Sequence, residues 1–133
     1  MRMLYTMLRV ANLERSIQFY TTQLGMTLFR TEAYPSGRFT LAFVGYGEEG
    51  TSVTIELTHN WDRDSYDHGT AHGHIALSVV DLMATCEMLK LAGVTVLRPA
   101  GPMSFDSPDR AQSEFIAFIE DPDHYKIELV ELQ

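Results

Sequence analysis

The sequence has a single cysteine, few basic residues and no long hydrophobic run, and each scarcity excludes a class of protein. The lone Cys86 cannot form an intramolecular disulfide, which agrees with a reducing compartment. The chain has 10 Lys and Arg against 18 Asp and Glu, and its formal net charge of -8 argues against a nucleic-acid partner. No apolar stretch approaches the roughly 20 residues of a membrane-spanning helix, and no signal peptide opens the chain. We therefore expect a cytoplasmic protein that does not bind membranes.

One sequence pattern occurs twice in this chain of 133 residues, which is long enough for one domain with a sizeable core. Residues 5–10 match residues 74–79, and both stretches alternate like strands. Each leads straight into helical spacing at a residue suited to an N-cap, Asn12 or Asp81. The triplet Ile-Glu-Leu also recurs near the end of each half. The chain therefore contains two copies of one unit.

Both copies are predicted to have the element order βαβββ. The first, about residues 1–60, should have strands at 3–10, 26–33, 39–44 and 52–58 and a helix from 13 that ends at Gly25. The second, about residues 72–133, should have strands at 72–79, 94–100, 114–119 and 125–131 and a helix at 82–92. An irregular connection joins the copies. The prediction is an α+β fold in which two tandem βαβββ modules form curved mixed sheets within a single domain, residues 1–133.

Strand alternation places several polar side chains on the sheet faces that point away from the helices: Tyr5, Arg9, Glu56, His72, His74 and Glu128. Two carboxylates and two imidazoles on one concave surface are costly unless a cation lies among them. Imidazole and carboxylate ligands suit Zn²⁺, Ni²⁺, Co²⁺ or Mn²⁺. An isolated His or Glu in a strand is, however, usually solvated or hydrogen-bonded. Strand periodicity alone is therefore compatible with either a metal site or an ordinary polar surface.

Short segments along nearly the whole chain share one resemblance. They are Met7–Val10, Ser16–Tyr20, Leu24–Met26, Leu41–Gly47, Ile55–Trp61, Gly73–Val79, Glu120–Asp123 and Tyr125–Leu129. Together they resemble the signatures of the glyoxalase I (lactoylglutathione lyase) family of the vicinal oxygen chelate superfamily. Any one segment alone is weakly diagnostic, whereas the set is specific for the family.

The resemblance implies a homodimer with one divalent metal at each subunit interface, Ni²⁺ or Zn²⁺, with Co²⁺ and Mn²⁺ as alternatives. Two ligands would come from the first half of one chain and two from the second half of the other. The matching positions are Tyr5, Glu56, His74 and Glu128. It also implies that Arg9 and Asn60 hold glutathione. From the residues alone, Arg9 equally suits a surface ion pair and Asn60 a turn.

The implied reaction is isomerisation of the hemithioacetal of methylglyoxal and glutathione to S-lactoylglutathione, which detoxifies methylglyoxal. A proton moves from C1 to C2 through a metal-bound enediolate, and the family assigns the proton transfer to glutamates, here Glu128 and Glu56.

The sequence departs from the family at the first ligand position, where Tyr5 replaces His or Gln. Three alternatives follow: Tyr5 binds the metal as a phenolate, His72 supplies the missing imidazole, or the metal site is impaired. We favour a retained metal with His72 as a candidate substitute. The same departure leaves open a divergent vicinal oxygen chelate protein, either an epimerase or thiol transferase or a non-catalytic protein that binds a small ligand.

Two further departures concern loops. The segment Gly101–Ser113 is longer than in compact family members, and it is interpreted either as a loop that reshapes the pocket or as a surface insertion. His124 stands where a turn glycine is usual.

Overall fold

The first unit, Met1–Gly69, is a four-stranded sheet with one helical segment against it. Its elements are β1 (Tyr5–Arg9), α1 (Leu13–Gln18) with a π-helical turn over Phe19–Gln23, β2 (Thr27–Tyr34), β3 (Phe39–Gly45) and β4 (Thr54–Asn60). The strand order is β1-β4-β3-β2. Strands β1 and β4 are parallel, and the other neighbours are antiparallel. The unit therefore has the predicted order βαβββ.

Local chemistry explains where the first helix begins and ends. The Asn12 side chain accepts a hydrogen bond of 3.0 Å from the backbone N–H of Arg15, as an N-cap should. The chain leaves the helical segment at Gly25, whose φ of 70° is a conformation that glycine adopts at little cost. The buried residues of this unit line the space between helix and sheet, among them Leu8, Val10, Tyr20, Val44 and Leu57.

The second unit, Thr70–Gln133, repeats this architecture. Its elements are β5 (Ile75–Val79), α2 (Leu82–Leu91), β6 (Val96–Pro102), β7 (Phe115–Glu120) and β8 (Lys126–Glu131), and the strand order is β5-β8-β7-β6. Strands β5 and β8 are parallel. The Asp81 side chain caps α2 by accepting a 2.9 Å hydrogen bond from the backbone N–H of Ala84. The fully buried side chains include Leu82, Leu89, Ile119, Ile127 and Leu129.

This computed structural model describes residues 1–133, and it confirms the predicted α+β architecture of two tandem βαβββ modules. Some predicted boundaries are wrong. Strand β5 begins at Ile75 instead of His72, and β6 continues through Gly101 to Pro102, so the irregular segment begins at Met103. No helix is both long enough and apolar enough to cross a membrane.

Candidate metal and substrate site

Glu56 lies in the middle of β4, on the sheet face opposite α1. In the strand register it pairs with Met7 of β1 and with Phe43 of β3. Only 8% of Glu56 is exposed, and the Thr58 hydroxyl donates a hydrogen bond of 3.1 Å to its Oε1. Glu56 is therefore a carboxylate held inside a largely apolar sheet by a neighbouring hydroxyl. Such a group is a strong candidate for binding a cation.

Tyr5 begins β1 on the same sheet face as Glu56. Its ring meets the Phe43 ring edge-on, with 5.5 Å between centroids and an interplanar angle of 77°. The guanidinium of Arg30 lies 3.8 Å from the centre of the Phe43 ring. Tyr5, Arg30 and Phe43 all line a small cavity of about 130 Å³ in this unit. Although Tyr5 is close to half exposed, its ring is thus fixed by an aromatic neighbour that also pairs with Glu56.

Arg9 and Asn60 share that sheet face. Arg9 is exposed and pairs in the register with Thr58, and Asn60 lies two residues farther along β4. Because side chains alternate along a strand, Asn60, Thr58 and Glu56 project to one side. The Tyr66 hydroxyl donates a hydrogen bond of 3.2 Å to Oδ1 of Asn60. The structure thus brings all the site residues predicted in the first half onto one surface.

In the second unit, His74 and Glu128 form a direct pair. The His74 Nε2 atom lies 3.2 Å from Oε2 of Glu128, and the two side chains are 41% and 16% exposed. Glu128 pairs in the register with Ala76 of β5 and Phe118 of β7. The His74 ring meets the Phe118 ring edge-on, at 5.2 Å and 80°. An imidazole nitrogen and a carboxylate oxygen therefore converge beside an aromatic ring.

The two units consequently carry the same three-part arrangement. Each has a ring at or directly before the start of its first strand, a phenylalanine in the third strand and a glutamate in the fourth, namely Tyr5, Phe43 and Glu56, and His74, Phe118 and Glu128. The phenylalanines were present in the repeated sequence, but nothing in their residue type indicated that they support the site. Tyr5 is the structural counterpart of His74.

The prediction that a strand begins at His72 is wrong, because β5 begins at Ile75, directly after His74. His72 precedes β5, and its ring packs edge-on against the Tyr125 ring at 5.4 Å and 79°. Tyr125 is a buried residue. The strand geometry that favoured His72 as a substitute ligand is therefore absent, although the imidazole remains in the neighbourhood of His74 along the chain.

No three His, Cys, Asp or Glu side chains in the chain are grouped so that they alone hold a metal ion. Each unit instead offers one pair of candidate ligands. The lone Cys86 belongs to neither pair. Burial raises the pKa of its thiol, a hydrogen bond with the Ala100 backbone opposes that rise, and the thiol stays protonated near neutral pH.

The loop between β6 and β7 has structure of its own. It surrounds a cavity of about 430 Å³ lined by Met103, Phe105, Arg110 and neighbouring residues. An ion pair between Arg110 and Glu114 and a 2.8 Å hydrogen bond from Ser113 to Asp106 cross the loop. None of these contacts involves a predicted site residue.

Comparison with known proteins places this fold and these residues in a family. The profile of the Glyoxalase/Bleomycin resistance protein/Dioxygenase superfamily matches residues 2–129, and the chain belongs to this superfamily. A lactoylglutathione lyase of Neisseria meningitidis is 55% identical over 131 residues, which cover 98% of this chain and 91% of that protein. A lactoylglutathione lyase of Escherichia coli O157:H7 is 53% identical, with 98% and 93% covered.

Solved structures agree with the sequence relatives. The glyoxalase I of Leishmania major, described as trypanothione-dependent, superposes with a TM-score of 0.82 and is 41% identical. The match covers 98% of this chain and 86% of that one. The similarity therefore extends through both βαβββ units.

Proposed function

We propose that this protein is a metal-dependent lactoylglutathione lyase, which converts the hemithioacetal of methylglyoxal and glutathione to S-lactoylglutathione. The observation that carries the proposal is the 55% identity, over 98% of the chain, to a protein of that name. The relatives favour this lyase over the epimerase, thiol transferase and binding-protein alternatives.

The donor set fits a divalent cation. His74 and Glu128 bring an imidazole nitrogen and a carboxylate oxygen within 3.2 Å of each other, and Glu56 adds a buried carboxylate. These are the ligand types that Ni²⁺ and Zn²⁺ share, and Co²⁺ and Mn²⁺ also accept them. Tyr5, Glu56, His74 and Glu128 would hold the metal. When bound there, the cation would supply Lewis-acid stabilisation of negative charge on the two adjacent substrate oxygens.

The two glutamates are proposed to move the proton. The reaction takes a proton from C1 of the hemithioacetal and returns one to C2, so a base and an acid must lie close to both carbons. Glu128 is mostly buried beside His74, which holds its carboxylate in place, and Glu56 is held by Thr58. Burial keeps water from competing for the transferred proton. Both carboxylates thus have a fixed position and a protected environment.

Tyr5 is proposed as the fourth ligand. Its ring meets the Phe43 ring edge-on as the His74 ring meets the Phe118 ring, which supports a role for the Tyr5 phenol where the second unit has an imidazole. His72 is the less favoured candidate because its ring packs on Tyr125.

We propose that the complete site forms in a homodimer, where Tyr5 and Glu56 of one protomer meet His74 and Glu128 of its partner. The observation that supports this is that each unit carries only one pair of donors. A two-fold symmetric dimer would create two identical sites of this kind.

Arg9 and Asn60 are proposed to hold the glutathione moiety, because an arginine and an amide on one surface suit the carboxylates of that tripeptide. One solved relative is described as trypanothione-dependent. The preferred thiol of this protein can therefore be tested by comparing the rate of thioester formation with glutathione and with trypanothione. A cytoplasmic location stays a prediction.

The assay follows thioester formation from methylglyoxal and glutathione by the chelator-treated protein, with and without Ni²⁺ or Zn²⁺. We expect no activity in the metal-free protein and recovery with at least one metal. Glu128→Gln should lower kcat by about 10²- to 10⁴-fold, as expected for loss of a general acid–base group. Glu120→Gln is the matched control, because Glu120 is a glutamate of the same unit that pairs with the exposed His124. Absence of thioester with Ni²⁺, Zn²⁺, Co²⁺ and Mn²⁺ would remove the proposed function.

A further inference from the structure

We propose that Tyr66 is a positioning residue that orients the Asn60 amide for binding the glutathione moiety. The inference rests on the proposed function and extends it to a residue outside the predicted site. Tyr66 lies in the connection after β4, six residues beyond Asn60, and its hydroxyl donates to Oδ1 of Asn60 at 3.2 Å. Both residues are half-buried.

The backbone of Asn60 is already fixed without Tyr66. Asn60 is the last residue of β4 and pairs with Phe39 of β3. Its carbonyl accepts a 3.0 Å hydrogen bond from the N–H of Arg63, which closes the turn that follows the strand. These contacts do not fix the rotation of the Asn60 side-chain amide. The oxygen and NH₂ ends of this amide have similar shapes but opposite hydrogen-bonding roles. The Tyr66 hydroxyl restricts this rotation of the Asn60 amide.

The Tyr66 hydroxyl restrains the Asn60 amide in the orientation that the structure has. Because Oδ1 of Asn60 accepts the phenolic proton, the NH₂ group of the amide is left to donate elsewhere. The Tyr66 ring is in turn held by the Arg63 guanidinium, 5.3 Å from the ring centre. The chain of contacts from Arg63 through Tyr66 to Asn60 therefore presents two N–H donors at the end of β4.

Those donors match the chemistry of the ligand. Asn60 shares the sheet face of Arg9, which pairs with Thr58 two residues before it. A γ-glutamyl tripeptide has an α-ammonium and two amide N–H groups as donors, and the proposed contact is with its carboxylate and carbonyl oxygens, which are acceptors only. An amide turned the other way would present its own oxygen to these acceptors and repel them. Fixing the amide in advance avoids the entropy cost of ordering it during binding.

The test compares wild type with Tyr66→Phe, which removes the hydroxyl but keeps the ring that Arg63 contacts. We expect KM for the hemithioacetal to rise about fivefold while kcat stays within about twofold, as loss of one binding hydrogen bond predicts. Calorimetric Kd for S-methylglutathione, an unreactive thioether, should rise by the same factor. In an Asn60→Ala background, Tyr66→Phe should have no further effect on this Kd, since Tyr66 acts through Asn60.

Tyr46→Phe is the matched control, because it also deletes a phenolic hydrogen bond from the first unit, that of 2.6 Å to the Leu24 carbonyl, far along the chain from Asn60. It should leave KM and Kd unchanged. If wild type binds the thioether and Tyr66→Phe binds it equally well, or if the effects of Tyr66→Phe and Asn60→Ala simply add, this inference fails while the proposed function stands. If wild type binds no glutathione thioether, the proposed function fails and this inference fails with it.

Discussion

At the scale of single residues, strand alternation made most of the candidate site predictable. A period of two residues decides which face a side chain occupies, and it correctly placed Tyr5 and Glu56 on the face away from α1. The same rule predicted a strand from His72, which is wrong because a strand extends only where it has a partner. Ile75 pairs with Ile127 near the start of β8, and β5 does not extend to the residues before it. Alternation cannot show where pairing stops.

The role of Tyr5 can be tested by metal binding alone. A neutral imidazole binds a divalent metal directly, whereas a phenol must first lose its proton. Calorimetric titration of the chelator-treated protein with Ni²⁺ or Zn²⁺ should therefore show tighter binding by Tyr5→His. Tyr5→Phe should weaken binding by at least about tenfold, the lower end of the cost of disturbing metal-site residues.

Two variants make this result specific to Tyr5. Tyr34→Phe removes another phenol of the first unit, which donates a 2.7 Å hydrogen bond to Glu32, and it should leave metal affinity unchanged. His72→Ala should also bind metal like wild type, because the His72 ring packs on Tyr125. Wild-type affinity in Tyr5→Phe together with a large loss in His72→Ala would reverse the assignment of the fourth ligand.

At the scale of elements, helix ends were more predictable than strand ends. Asn12 and Asp81 cap their helices as their residue types predict, because a short polar side chain can reach a free backbone N–H. The predicted strand ends at Ala100, yet β6 continues to Pro102 and contains two prolines, Pro99 and Pro102. β6 is an edge strand, where a missing N–H is tolerated, and the Arg98 guanidinium holds the carbonyl of Pro102 at 2.6 Å.

The turn between β7 and β8 offers a stability test of one element. His124 has a φ of 68°, in the left-handed region that glycine adopts more easily. His124→Gly should therefore raise the free energy of unfolding by roughly 0.5–1 kcal/mol, measured by urea denaturation. His124→Ala is the control, since it also removes the 3.2 Å contact with Glu120 but keeps a Cβ atom. Equal or lower stability of the glycine variant relative to the alanine variant would show that the turn is not strained.

At the scale of the whole molecule, the internal repeat was the most informative feature of the sequence. The two copies of βαβββ follow from hydrophobic periodicity and repeated spacing, and both are present. The contacts that hold the candidate site residues of each unit in place were not predictable in the same way. The contacts of Tyr5 with Phe43 and of Tyr66 with Asn60 join residues that are distant or unpatterned in sequence. The contacts inside the loop after Pro102 likewise join residues that follow no sequence pattern.

The proposed catalytic site gathers donors from the first unit of one protomer and the second unit of its partner. The direct measurement is lyase activity of co-expressed Glu56→Ala and Glu128→Ala chains, purified together with two tags and compared with each variant alone. Shared sites predict that each variant alone is inactive, whereas dimers that carry both tags recover about half of wild-type activity, since each of them has one intact site of two. Activity that stays at the level of the separate variants would rule out a site shared between protomers.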